Sequence, residues 1–285
     1  SGTHEKLGVY VGSRYLTTDG YRVNSDHESA STLLKTRYPL GDLLRVQNSF
    51  YFADNETGIP GPLTRAEMDV DRRQQDPDGR RGDQFADKLV LDQLTFTWVN
   101  PDSGLEVSNA TGYRLRNQDS LQTFGGFFGG TSENEIETET FSNVLQATSS
   151  FELTRWTIDT TAGLEWSADD IWNGNVFNSA FGEFGSERAI DRRMFGVFLQ
   201  NDTHLDEKWS LETGVRWDDI HWNIYDLKTP SNEKEKKASE VSSRVGLLWK
   251  AAEWVSAFGS YSESFKTPDA NAMIFETPNI FAPNP

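Results

Sequence analysis

The sequence predicts an all-β chain, part of an antiparallel transmembrane β-barrel. Three observations predict it. Apolar and polar residues alternate with period two, the alternating runs are long, and short and long connections take turns between them. The alternation is plainest at 156–166, where Trp156, Ile158, Thr160, Ala162, Leu164 and Trp166 oppose Thr157, Asp159, Thr161, Gly163 and Glu165. A helix scatters these two sets around its axis; a strand sorts them onto two faces.

About eleven strands follow from the pattern. The first three are 6–16, 30–39 and 43–54, the last two joined by the tight turn Tyr38-Pro39-Leu40-Gly41-Asp42. At 86–99 the set Val90, Leu94, Phe96 and Trp98 includes Asp92, so a bulge that shifts the register is an option. After Asn100-Pro101-Asp102-Ser103-Gly104, strand 104–117 places Leu105, Val107, Tyr113 and Leu115 against Glu106, Ser108, Arg114 and other small or polar residues. Strand 138–150 carries Phe141, Leu145 and Ala147 on one face, and 153–167 contains the plain alternation above. In 190–205, Phe195, Val197 and Leu199 share a face while Phe198 lies on the other, which again admits a bulge. Strand 208–222 sorts Trp209, Leu211, Thr213, Val215 and Trp217 against Ser210, Glu212, Gly214 and Arg216; strands 239–250 and 253–265 complete the set.

Runs of this length exceed the usual five or six residues of a soluble strand. A tilted crossing of a hydrocarbon core takes about 9–11 residues. The long polar connections are 17–29, 55–85, 118–137, 168–189 and 223–238, and each is followed by a tight turn at the next strand end. Short turns at one rim and long loops at the other are what an outer-membrane barrel requires. Trp98, Trp209, Trp249 and Trp254 stand beside tight turns, and Trp166, Trp172, Trp222 and Tyr225 at the long-loop side, as an aromatic girdle at each interface demands. Asp159, Glu165, Arg216 and Arg244 then face a wide aqueous or plugged interior.

Composition narrows the function. Lys+Arg number 27 and Asp+Glu 44, a net charge of −17, which repels nucleic acid. Aromatics at 12% argue against disorder. The absence of Cys removes disulfide frameworks, thiol nucleophiles and Cys-based zinc sites. No window of 18 apolar residues offers a transmembrane helix.

Residues 195–202, Phe-Gly-Val-Phe-Leu-Gln-Asn-Asp, and 209–218, Trp-Ser-Leu-Glu-Thr-Gly-Val-Arg-Trp-Asp, resemble a hairpin of TonB-dependent outer-membrane receptors. Arg244-Val245-Gly246-Leu247 and the stretch from Gly259 to Pro268 continue the likeness. Asp19-Gly20-Tyr21-Arg22-Val23-Asn24-Ser25 resembles the family's first extracellular loop, and Ile59-Pro60-Gly61-Pro62-Leu63-Thr64 a loop phrase of receptors for iron chelates. The resemblance implies a Gram-negative outer membrane, the first half of a barrel of about 22 strands, residues 1–285 as that partial domain without its plug, and no cofactor. It implies energy-coupled uptake of a scarce solute, a ferric chelate of siderophore type. The implied partners are the TonB complex, contacted through the plug, and the lipid and lipopolysaccharide of the membrane. A passive porin-like channel and a soluble all-β binding protein are the alternatives.

No catalytic or metal site is expected. His4, His27, His204 and His221 lack HExxH spacing. The acid pairs Asp169-Asp170, Asp218-Asp219 and Asp69/Asp71 read as solvated carboxylates, or as groups sharing divalent ions with lipopolysaccharide phosphates. The candidate ligand contacts are Arg114, Arg116, Phe127, Phe128 and Trp172. Arg114 and Arg116 lie on the inward face, where a planar donor fork suits a carboxylate or phosphate of a ligand, or equally a carboxylate of the barrel or plug. Phe127 and Phe128, within Gly125–Gly130, are either locally packed loop aromatics or a surface for an incoming ligand.

Overall fold

The computed structural model describes residues 2–4, 6–77, 82–125, 129–229 and 233–265. They form one antiparallel sheet of twelve strands, each hydrogen-bonded to its neighbours in chain order. The strands are β1 (Gly2–His4), β2 (Leu7–Thr18), β3 (His27–Leu40), β4 (Leu44–Gly58), β5 (Gln84–Val99), β6 (Glu106–Phe124), β7 (Gly130–Leu153), β8 (Trp156–Ser179), β9 (Gly182–His204), β10 (Trp209–Asp226), β11 (Lys234–Ala252) and β12 (Val255–Ser262). A single helix, α1 (Arg65–Val70), lies between β4 and β5 among the described residues. Thr64 caps it: its hydroxyl accepts from the Glu67 amide, and the Glu67 carboxylate accepts from the Thr64 amide at 2.6 Å.

The eleven expected strands are all present, and β1 adds a short edge pairing to Leu7–Val9. The alternation of short and long connections holds, but the long ones differ in kind. Residues 118–137, 168–189 and 223–238 are mainly paired ribbon, because β6 to β11 continue well past the expected strand ends. There β7 alternates Glu133, Glu135, Glu137 and Glu139 with Asn134, Ile136, Thr138 and Thr140. Both faces of such a ribbon meet water, so the contrast that marks a strand in the sequence disappears. Residues 59–83 remain a genuinely long connection.

No bulge occurs at either ambiguous strand. β5 and β9 keep unbroken register with both neighbours, and the described shift falls at Lys250/Ala252. Asp92 stays on the otherwise apolar face of β5, where it accepts a hydrogen bond from Asn48 Nδ2 at 2.7 Å. Phe198 stays on the polar face of β9, opposite Gly163. A Cβ at Gly163 would collide with the Phe198 ring, so the glycine is what lets that ring lie flat on the wall.

The sheet is apolar on the side that faces away from protein. Leu145, Leu164, Leu199 and Val215 are 41%, 44%, 42% and 46% exposed, while the buried hydrophobics are Ala53, Ile190, Ile220, Trp222 and Ile224. Aromatic contacts fall at two levels of the apolar face. Near the short turns Trp209 and Trp249 stack with centroids 5.5 Å apart. Higher up, Phe141 meets Trp166 edge-on at 5.8 Å and Phe195 meets Trp217 at 6.2 Å. The eight residue-to-residue steps from Trp209 to Trp217 rise about 26 Å along the strand, or ~20 Å once tilted, close to the apolar band of an outer-membrane barrel. The small core sits on the polar face towards the long connections, where Ile190, Ile220, Trp222 and Ile224 pack with Ile171, Met194, Ala238 and Phe265.

Candidate functional site

The polar face below that core is a layer of ion pairs built by cross-strand register. Arg114, Thr140, Asp169 and Arg192 are successive Cα partners across β6, β7, β8 and β9. Asp169 is 1% exposed and takes both Arg192 Nε at 2.7 Å and Nη2 at 2.6 Å. Thr140 donates to it and accepts from Arg114 Nη2 at 2.8 Å. Arg114 Nη2 itself stands 3.6 Å from Asp169, and its buried Nε has no partner among the described residues. One strand over, Arg116 holds Asp87 bidentately at 2.7 and 3.1 Å.

A second group lies across β8, β9 and β10. Glu165, Gly196 and Asp218 form one cross-strand row. Arg216 lies across it, donating to Glu165 through Nη1 at 2.7 Å and reaching Asp218 through Nη2 at 2.7 Å. A Cβ at Gly196 would come within 2.7 Å of Arg216 Nη2, so only glycine leaves room for the guanidinium between its two acids. Arg244 repeats the arrangement, pairing with Glu212 at 2.6 Å while lying over Gly214. These arginines therefore lie along the wall and leave the space in front of it open.

Above the wall two connections lock together. Arg22 donates to the carbonyls of Gln74 (2.9 Å), Gly61 (2.6 Å) and Pro60 (3.1 Å). Asn24, in left-handed backbone at φ 59°, donates to the carbonyls of Ile59 at 2.9 Å and Asp83 at 2.8 Å. The Asp83 side chain in turn accepts from the Thr123 amide at 2.9 Å and hydroxyl at 2.8 Å. Residues 19–26 and 59–77 thus form one cap fastened to β6. The sequence marks both segments as polar loops but carries no pairing signal between them, since Arg22 contacts only backbone carbonyls. Arg22→Ala removes three charge-assisted bonds, and limited proteolysis is expected to cut within 59–77 at least tenfold faster, with the strands unaffected.

The expected ligand contacts separate. Arg114 and Arg116 are on the polar face, held by barrel carboxylates as above. Trp172 is on the other face of β8, in the extended ribbon, where its indole donates to Glu187 at 3.2 Å and lines a cleft of about 470 Å³ with Glu133, Glu135 and Lys228. Phe127 and Phe128 lie outside the described residues. Of the acid pairs, Asp169 and Asp218 belong to the ion-pair layer, while Asp219 is on the opposite face, 3.0 Å from His221 Nε2. Among the described residues no three of His, Asp and Glu come together as a metal ion requires.

The fold has close structural counterparts. The chain superposes on the unliganded ferric citrate transporter FecA with a TM-score of 0.79 at 14% identity, covering 91% of this chain and 39% of that one. The siderophore receptor PiuA from Acinetobacter baumannii gives 0.76 at 15% identity, with 90% and 45% covered. The open form of the ferric-catecholate import receptor Fiu from E. coli K12 gives 0.75 at 14%, with 94% and 52% covered. The chain thus spans roughly two-fifths to one half of the length of these receptors, and they establish a shared fold. No curated protein matches the sequence. The family model for the TonB dependent receptor-like β-barrel matches residues 13–285, and the chain belongs to that family.

Proposed function

We propose that this chain is the barrel wall of an outer-membrane receptor that takes up a ferric chelate with energy delivered through TonB. The observation that carries the reading is the inverted sheet: apolar side chains stand bare on one face, and a layer of paired charges lies flat against the other. Such a wall suits lipid outside and a wet or plugged interior. The cap of 19–26 and 59–77 sits at the end where a ligand arrives. Arg114 and Arg116 line the interior beneath it, 40% exposed at the side chain, and their exposed guanidinium edges donate to a ligand carboxylate or catecholate. Phe127 and Phe128, outside the described residues, stay in the proposal as aromatic ligand contacts on the sequence alone, and Trp172 makes any contact from the outer side of the ribbon. Three solved counterparts whose names describe ferric citrate, siderophore or ferric-catecholate receptors support the iron preference. Iron-starved cells producing the receptor are expected to accumulate a labelled ferric chelate, and to lose uptake when TonB is deleted. Uptake that persists without TonB, or diffusion of small solutes without saturation, contradicts the reading in favour of a passive channel.

A further inference from the structure

The apolar, outward face of the wall carries polar side chains where lipid is expected, and on β4 to β7 they gather. Asn48 stands between Val46 and Phe50 on that face, Asp92 between Leu94 and Val90, and Asn143 between Leu145 and Phe141. Asn109 and Thr111 lie in the same way between Val107 and Tyr113. Each polar group is thus enclosed along its own strand by apolar residues of the lipid band and does not belong to the wet rims.

Cross-strand register joins them into one patch. Thr36, Asn48, Leu94, Thr111 and Asn143 are successive Cα partners from β3 to β7. Asp92 is the next outward residue beyond Leu94 on β5, and Asn109 the next beyond Thr111 on β6. Asn48 Nδ2 donates to Asp92 Oδ1 at 2.7 Å. Asn109 and Asn143 exchange amide hydrogen bonds at 3.1 and 3.2 Å, and Asn143 also donates to the Thr111 hydroxyl at 2.9 Å. On β8 to β10 the outward face is different: from Trp156 to Trp166 and from Trp209 to Trp217 its polar members are Thr160 and Thr213, with Asn201 between them on β9 and no carboxylate.

Hydrocarbon has nothing to offer such groups, and polar residues kept at this depth are costly enough to imply a partner. Asp92 is exposed, and a carboxylate accepts up to about four hydrogen bonds where Asn48 supplies one. β4 to β7 are paired along both edges, so strands that close the barrel join at β1 and β12 and a luminal domain lies behind the wall; neither covers the outer surface. An occupant at this depth needs a transmembrane wall of its own. The chemistry of the face selects a second copy of this one. The Thr36 and Thr111 hydroxyls and the Asn109 amide donate, while Asp92 and the Asn48 carbonyl oxygen accept, so a twofold axis sets the donors of one copy against the acceptors of the other. Five strands at about 4.8 Å each make a face about 24 Å wide, and over an apolar band of ~25 Å that is roughly 600 Å² before side-chain relief, near the ~800 Å² per partner of a stable interface.

We infer that the outer wall of β3–β7 is the contact through which two copies of this receptor pair side by side in the membrane, with Asn48, Asp92, Asn109 and Asn143 at its centre. The inference rests on this face meeting lipid and is independent of iron, of TonB and of the luminal arginines.

The test is energy transfer between copies of the intact receptor, labelled with donor or acceptor dye at Asp69→Cys on α1 and reconstituted at low density in vesicles of phosphatidylethanolamine and phosphatidylglycerol. Transfer above the level of randomly placed copies is expected, saturating as density rises. N48L/D92L/N143L should weaken the association at least tenfold, and T160V/T213V, which strips polar groups from the same face of β8 and β10, should leave it unchanged. Both variants replace polar by apolar groups towards lipid, so heat-modifiable electrophoretic mobility should be kept. A second readout needs no loss of polar groups: in native membranes Leu94→Cys should cross-link to itself into a species of twice the mass, and Leu164→Cys on β8 should not. Random-level transfer in the parent, undiminished association of N48L/D92L/N143L, an equal loss in T160V/T213V, or a Leu94→Cys product that contains a different protein overturns the proposal. Ferric-chelate uptake that survives such a result leaves the receptor reading standing and removes the pairing alone.

Discussion

Replacing Arg216 by Met is expected to lower the stability of the folded receptor by about 3 kcal/mol, the usual scale for breaking a partly buried ion pair from one side. The reason is geometric. Glu165 and Asp218 flank Gly196 on adjacent strands, and only Arg216 lies between them. Asp218 is 5% exposed at its side chain and so has little water to turn to once the guanidinium is gone. Removing the cation leaves two anions close together, each short of a donor. Arg216→Lys should recover only part of the loss, because an ammonium cannot present parallel donors to both acids. Adding Glu165→Gln and Asp218→Asn to the Met variant should restore most of it, since buried polar groups cost most when one partner alone is lost. The temperature at which the receptor loses its heat-modifiable mobility measures all three. A Met variant as stable as the parent contradicts the pairing described here.

Leu199→Arg should be the more damaging of two otherwise similar changes on β9, and Gln200→Arg the milder. Leu199 is 42% exposed on the apolar face with Ala162 and Val215 as its cross-strand partners. A charge placed there meets hydrocarbon at a cost of about 2–4 kcal/mol near the midplane. Gln200 points to the other face, beside Asp202, with its amide 3.3 Å from that carboxylate, and an arginine there gains an acid. The expected result is at least a tenfold fall in folded receptor in the membrane for Leu199→Arg and near-normal amounts for Gln200→Arg. Equal tolerance of both would mean that neither face meets lipid.

Much of this was legible in the sequence, and the residues show why. Wherever one face meets lipid and the other water, as from Trp156 to Trp166 or Trp209 to Trp217, period two survives in the residue types and the strands can be read directly. It fails at 130–137 and 173–179, where both faces meet water and no face is held apolar. The site was less legible for a different reason. That Arg114 and Arg116 face inward follows from parity; that Asp169 and Asp87 reach them depends on which residues register brings abreast, and register joins positions 29 to 55 residues apart in the chain. Gly196 is silent as a letter, since its role appears only when Arg216 of the next strand is laid across it.

The alternation itself can be measured directly. The chain has no native cysteine, so single cysteines can be placed in turn at 195–202 and 211–218 and spin-labelled in the intact receptor within lipid vesicles. Positions 195, 197, 199, 211, 215 and 217 should relax readily with oxygen dissolved in the bilayer, and positions 196, 198, 200, 212, 214 and 216 with a water-soluble nickel chelate or be shielded by a luminal domain. Two sets that respond alike, or odd-numbered labels reached by neither reagent, would show a dry face packed against protein and contradict the fold's assignment to a membrane wall.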